Sequence, residues 1–197
     1  MTNVGVGVDS ATPGAQLTPP LQTPRLLLRE FTLDDAPAVL SSHQDPRYLR
    51  FTPWEHRTEA DAREFVQRFV DWQRETPRTG YQLAIALADT GELIGSVGLR
   101  LPARYALVAE AGFELHPRHW GKGYATEAAS GLVQYGFREL GLQRVHSHCV
   151  IENTASARVL ERLGMKLEGK LRQHEFFKGR WWDVLLYGIL ASEWNPL

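Results

Sequence analysis

Cysteine is nearly absent. Cys149 is the only one in 197 residues, which excludes an internal disulfide framework and a cysteine-only zinc site and fits a reducing compartment. An excess of either charge is also missing: 22 Lys and Arg face 23 Asp and Glu, a formal net charge of -1. No global basic field would then gather nucleic acid or an anionic membrane, so any bound anion must be held by a local site. Long hydrophobic runs are lacking too, and none nears the ~20 residues that span a bilayer. Met1 to Pro20 has neither the cationic start nor the apolar stretch of a secretion signal. A cytoplasmic protein with no nucleic-acid or membrane partner, monomeric or homodimeric, is the expectation.

What is present is an ordinary globular composition, 43% hydrophobic and 23% charged, in a chain long enough for one sizeable core. Residues 1–21 are rich in Gly, Thr, Ser, Ala and Pro. Such a segment buries too little apolar surface to offset its ordering entropy and reads as a mobile tail, leaving one domain over 22–194. Arg25–Phe31 reads as a strand, and Thr32 with Asp35 has the capping-box spacing that opens a short helix to about Ser42. Thr58 and Asp61 repeat that spacing ahead of an apolar helical face made by Ala62, Phe65, Val66, Phe69 and Val70.

Strands follow from Tyr81 to Leu87 and from Leu93 to Leu99 around an Asp89–Glu92 turn. In Val108–His116, alternation puts Ala109, Ala111, Phe113 and Leu115 on one face and Glu110 and Glu114 on the other. A helix striped by Ala125, Ala128, Ala129, Leu132, Val133 and Phe137 comes next, then a strand over Gln143–Ile151. Asn153 caps a further helix that ends at Gly164, and strands over Met165–Glu175 and Trp181–Leu190 flank a Lys178-Gly179 turn. The order is that of a mixed α/β domain with seven strands and about four helices.

The most informative stretch runs from Leu115 to Thr126. A strand ends, Gly121 and Gly123 free the backbone to approach a ligand, and a helix starts at once. The first amides of a helix lack intrahelical acceptors and carry partial positive charge, which together suit a pyrophosphate; Lys122 adds one charge. A dinucleotide fingerprint would want Gly or Ala where Thr126 stands, and the NTPase loop wants Ser or Thr directly after Gly-Lys, where Gly123 stands. Neither fits.

This loop resembles that of the GNAT superfamily of N-acetyltransferases, written Gln/Arg-x-x-Gly-x-Gly/Ala, with Gly123 and Ala125 in the small positions and Trp120 in the first. Trp120 departs from the pattern; Arg118-x-x-Gly121-x-Gly123 fits the letters but starts two residues early relative to the helix. Asn153–Met165 resembles the Asn-x-x-Ser helix of the RimJ/RimL-like branch, with Met165 in place of its closing aromatic. The resemblance covers roughly Thr23 to Ser192. It implies a twisted sheet splayed into a V between the fourth and fifth strands, acetyl-CoA as the donor, and an amine as the acceptor: a protein N-terminal α-amine, or a small-molecule amine.

Acetyl transfer needs an unprotonated amine held beside the thioester, a donor for the oxyanion, and a proton for the departing thiolate. The resemblance assigns the cofactor to the Phe113–Leu115 backbone, to Trp120, Gly121, Lys122, Gly123, Tyr124, Ala125 and Thr126, and to Asn153. Leu160 occupies the position where many members carry an acidic tyrosine, leaving Ser156 as the candidate proton donor. Glu175 is the candidate base and Glu114 its rival. Cys149, on a strand with nothing to activate it, makes a covalent carrier unexpected. His146 and His148 share one strand face but lack convergent partners for a metal. A non-catalytic acyl-CoA-binding domain and a nucleotide-dependent oxidoreductase are the alternatives.

Overall fold

The computed structural model describes residues 20–103 and 106–196. The expected tail lies outside the described residues up to residue 19. Leu21–Gln22, the first strand β1, already pairs with β2 (Leu26–Glu30), so the sheet has eight strands rather than the expected seven.

The chain continues through α1 (Ala36–His43), a short α2 (Pro46–Leu49) and α3 (Glu59–Trp72), then β3 (Gly80–Leu87), β4 (Leu93–Arg100) and β5 (Val108–Leu115). After α4 (Tyr124–Arg138) come β6 (Arg144–Val150), α5 (Thr154–Arg162), β7 (Lys166–Phe177) and β8 (Arg180–Leu190). At Thr32 half of the expected capping box forms, with Asp35 Oδ2 accepting from the Thr32 amide at 2.8 Å while the Asp35 amide bonds the Thr32 carbonyl; at Thr58 the box is complete. At α3, Thr58 Oγ1 accepts from the Asp61 amide and Asp61 Oδ2 from the Thr58 amide, a pair worth about 1 kcal/mol. The β7–β8 turn places Lys178 and Gly179 at φ 52° and 71°, the twist a two-residue hairpin requires. The four-residue α2, in the loop before α3, has no sequence signature beyond Asp45-Pro46, and it went unpredicted.

Strand order is β1-β2-β3-β4-β5-β6-β8-β7. Every neighbouring pair is antiparallel except β5 and β6. Those two share only the rungs Val108–Arg144, Ala109–Val145 and Glu110–His146, although β5 runs on to Leu115 and β6 to Val150. The sheet therefore opens into a V at its centre. Two cores hold the halves in place. On one face Leu28, Ile85, Val97, Leu99, Ala111 and Leu115 pack with Ala128, Ala129, Leu132 and Val133 of α4 and Leu160 of α5. On the other, Phe31 and Ala84 pack with Val39, Ala62, Val66 and Phe69. Each fully buried Leu, Val or Phe contributes about 1.5–3 kcal/mol to these cores.

Candidate active site

The V exposes main-chain groups of β5. The His116 amide donates to Ile94 of β4 at 2.8 Å, so strand alternation turns the amides of Phe113 and Leu115 the other way, toward β6. Two side chains confirm that parity: Ser147 Oγ donates to the Ala111 carbonyl and Trp120 Nε1 to the Leu115 carbonyl, each at 2.8 Å. Pairing with β6 has ended by Glu110. The Phe113 and Leu115 amides thus face the opening, where an acyl carbonyl can accept from one of them.

At the end of β5 the loop turns through Gly121 (φ 77°) and Gly123 (φ 84°), and Gly123 caps α4. Both glycines hold the left-handed conformation that L side chains avoid. Among the described residues, no amide from Gly121 through Tyr124 and Ala125 to Thr126 donates to a protein acceptor; the first to do so is Glu127, to the Gly123 carbonyl at 3.0 Å. Six successive donors at the start of a fifteen-residue helix form an anion cradle without basic side chains. Lys122 is exposed beside it.

Arg25, which sequence reasoning did not single out, braces this loop. Its guanidinium donates to the Lys122 carbonyl at 2.9 Å and to Glu127 Oε2 at 2.6 Å, and lies 4.6 Å from the Tyr124 ring centroid. Nothing in the RLLLREF pattern reveals that role. A groove leads from Gly123 along Thr126 and Ser130 of α4, bordered by Arg25, Arg138 and Arg162. Arg158, by contrast, folds back on Thr154 of its own helix.

Asn153 caps α5: Oδ1 accepts from the Ser156 amide at 3.2 Å, which leaves its amide nitrogen free to donate. Ser156 is half-buried, and among the described residues its hydroxyl meets neither Glu175 nor any other side chain.

The opposite side of the V is built from side chains. Glu114 projects from β5 against β4 and the α1–α2 segment, with about a fifth of its side chain (22%) exposed. Oε1 accepts from Ser96 Oγ at 2.9 Å, Oε2 accepts from the Tyr48 hydroxyl, and His43 Nε2 lies 3.8 Å away. Burial pushes the Glu114 carboxyl up, but His43, Tyr48 and Ser96 more than offset it and hold the group below its ordinary range. Tyr48 is driven well above the usual phenol range, first by its own burial and then by Glu114.

Glu175 reaches the same face from β7. A register shift between Leu171 and Glu175, with Gln173 at φ 49°, bends the hairpin end. Glu175 Oε1 lies 3.2 Å from His148 Nε2, and His148 Nδ1 lies 3.2 Å from Glu110 Oε1. His148 thus has two carboxylates, one at each ring nitrogen, although among the described residues no group of three or more His, Cys, Asp and Glu is placed to hold a metal ion. Trp181 is 55% exposed beside Phe176, whereas Trp182 is buried against Phe177. Phe51 packs edge-on against Trp182, and Lys178 Nζ donates to the Leu49 carbonyl at 2.5 Å, strapping the hairpin to the α2 segment. Trp54 stacks in an aromatic cluster with His43, Tyr48 and Phe65, and His56 is exposed.

Residues 25–166 match the family described as acetyltransferase (GNAT) domain. An uncharacterized N-acetyltransferase, p20 of Bacillus licheniformis, is 35% identical over 177 residues, 88% of this chain and 97% of that protein. A GNAT-family acetyltransferase structure from Bacillus anthracis superposes with a TM-score of 0.78 at 31% identity, covering 88% of this chain and 99% of the other. The structure of RimL, a ribosomal L7/L12 alpha-N-protein acetyltransferase in complex with coenzyme A, shares the fold with a TM-score of 0.76 at 21% identity, over 85% and 95% of the two chains. With the splayed sheet and the unpaired amides at its edge, these likenesses make the chain a member of the GNAT family of N-acetyltransferases, an acyltransferase.

Proposed function

We propose that the protein transfers an acetyl group from acetyl-CoA to a primary amine by direct attack within a ternary complex, the acceptor being a protein N-terminal α-amine. The observation that carries the donor half is the run of six unpaired amides from Gly121 to Thr126, which suits the diphosphate of a coenzyme. The amides of Phe113 and Leu115 lie along the path from that cradle into the V, where one can pair with the pantetheine arm and one can donate to the oxyanion. Asn153 adds a side-chain donor on the β6 side. These residues supply position and charge stabilisation; the thioester supplies the activation.

The acceptor nitrogen attacks the thioester carbon, the new amide bond forms as the carbon–sulfur bond breaks, and the thiolate leaves with the bonding pair. An amine resembling lysine or an N-terminus is largely protonated at neutral pH and must lose a proton first. Glu175 suits that step better than Glu114. Both Glu114 oxygens already accept hydroxyl hydrogens and the group is held ionised, which makes it a poor proton acceptor. Glu175 is about one-third exposed, with no hydroxyl donor to it among the described residues, and it meets His148 through Oε1. Ser156, with an uncommitted hydroxyl at the start of α5, is the proton donor to the thiolate. Cys149 does not suit a covalent carrier: burial pushes its thiol up to about 11.

The Lys178–Leu49 strap and the Phe51–Trp182 contact narrow the acceptor side. That favours a thin acceptor, and it is the observation behind a second reading, a small-molecule amine. Release of coenzyme A thiol over a panel of N-terminal peptides and small amines, with calorimetry of acetyl-CoA binding, tests both. Turnover with peptides alone supports the first reading and turnover with small amines alone the second. Acetyl-CoA binding without thiol release from any amine would make the protein an acyl-CoA-binding domain, and absence of binding would overturn the proposal.

A further inference from the structure

His148 is held at the point where the V begins, and charged groups face it from several strands: Arg100 on β4, Glu110 on β5, His146 on its own strand β6, and Glu175 on β7. Across β8 its register neighbour is Leu186, flanked on that face by Val184 and Gly188, so β8 offers no titratable group there. Each ring nitrogen lies 3.2 Å from a carboxylate oxygen. A neutral imidazole leaves two carboxylates on either side of an uncharged ring with one N–H; an imidazolium carries an N–H and the compensating charge toward both. The Glu110 end is anchored, because Arg100 Nη2 lies 3.3 Å from the same Glu110 oxygen. The Glu175 end is carried by the bent, partly exposed hairpin.

We infer that His148 is a positioning residue of the transfer reaction: as an imidazolium bridging anchored Glu110 to Glu175, it fixes the Glu175 carboxylate toward the acceptor amine. The inference rests on the reading of Glu175 as the proton acceptor. The ring itself takes no proton from the amine, since both nitrogens are already protonated; that proton goes to the Glu175 carboxylate and on to solvent. Two pKa directions agree with the bridge. Glu110 is held down at about 2, chiefly by His148, and His148 is raised, chiefly by its hydrogen bond to Glu110 and also by Glu175. A raised histidine keeps its charge to a higher pH than an ordinary imidazole and loses it as pH climbs through the raised value. Loss of the bridge then frees Glu175, and turnover falls on the alkaline side.

The test is a pH profile of kcat at saturating acetyl-CoA for the wild type, His148→Gln, His148→Lys and Glu175→Gln, with acetyl-CoA binding by calorimetry as the check that each variant is folded. His148→Gln is expected to lower kcat roughly 10- to 100-fold through misplacement of the carboxylate, to lose the alkaline fall, and to bind acetyl-CoA as before. His148→Lys keeps a cation with several donors and is expected to restore most of kcat, with the alkaline fall moved upward. Wild-type turnover with an unchanged alkaline fall in His148→Gln would overturn the inference. So would a His148→Lys variant as slow as His148→Gln. If Glu175→Gln turned over like the wild type, the reading of Glu175 would fail instead, and the two failures are told apart in one data set. Should His148→Gln lose acetyl-CoA binding, imidazole titration by NMR in the wild-type protein and Glu110→Gln decides. A raised value that drops in the variant supports the bridge, and an ordinary value in both refutes it.

Discussion

The two sides of the V are made of different material. The side proposed for the coenzyme offers main-chain amides, from Phe113 and Leu115 in β5 and from Gly121 to Thr126 in the loop, with one exposed lysine nearby. The side proposed for the acceptor offers side chains that ionise: Glu114 among Ser96, Tyr48 and His43, and Glu175 beside His148, whose other ring nitrogen faces Glu110. A main-chain site depends on backbone conformation, so it tolerates a departure such as Trp120 while the two left-handed glycines remain. A side-chain site depends on identity and protonation, and it fails by a different route. Substitutions on the first side should act on coenzyme affinity, and on the second side on turnover and its pH dependence.

The largest effect expected is from Gly123→Val. At φ 84° a β-branched residue is strained by about 1–3 kcal/mol, and its Cβ would lie 3.4 Å from Arg25 Nη2. The chain can relieve that strain by rotating the amides away from the coenzyme. Acetyl-CoA binding measured by calorimetry should weaken by about 100-fold or more, while the circular dichroism spectrum stays that of the wild type. Glu175→Gln is the counterpart. We expect kcat to fall about 10²- to 10³-fold, with acetyl-CoA affinity unchanged. If Gly123→Val lost only kcat, or Glu175→Gln only affinity, the division between the two sides would be wrong.

Tyr48→Phe should have a smaller effect, and mainly on stability. It removes one of the two hydroxyl donors to Glu114 and should cost about 1–2 kcal/mol at neutral pH. The sign of the pH dependence follows from the lowered Glu114 carboxyl. Its contribution is present above the unfolded value, near 4.3 for a glutamate, and is lost as pH falls through the lower folded value. Wild type and variant should therefore converge in urea-unfolding free energy as pH drops through that window. A gap that stays constant, or widens, on acidification would show that the tyrosine does not act through Glu114.

The sequence displays the first side far better than the second. Strand parity in Val108–His116, the two glycines and the Asn153 cap are local signals with fixed spacing, and the structure reproduces each of them: the outward parity of Phe113 and Leu115, the left-handed Gly121 and Gly123, and the cap by Asn153. Glu114 was placed on the correct face for the same reason. The contacts that give Glu114 and Glu175 their character are long-range, joining residues 66 apart for Tyr48 and Glu114 and lying across three strands for Glu110, His148 and Glu175. No periodicity encodes them. Arg25, 97 residues from the Lys122 carbonyl it holds, was invisible for the same reason. The Leu21–Gln22 strand escapes the pattern because two residues carry no alternation, and a Trp-Trp pair in a strand puts one ring on each face without saying which is covered, here Trp182.

The smallest effect expected concerns the residue that breaks the family's loop pattern. Trp120 is 44% exposed, yet its indole donates to the Leu115 carbonyl at 2.8 Å and so ties the loop to the end of β5. Its ring therefore serves the site through one N–H rather than through buried area. Trp120→Ala removes that donor and should cost about 1 kcal/mol, seen as a slightly lower thermal midpoint and an acetyl-CoA affinity weakened less than about tenfold. Trp120→Gln, which restores the residue of the family pattern, keeps an N–H donor of similar reach and should recover most of the loss. Recovery would mean that tryptophan and glutamine are alternative ways to pin the same carbonyl. If Trp120→Gln were instead as weak as Trp120→Ala, the indole ring itself would be contacting the coenzyme, and the first side of the V would not be a purely main-chain site.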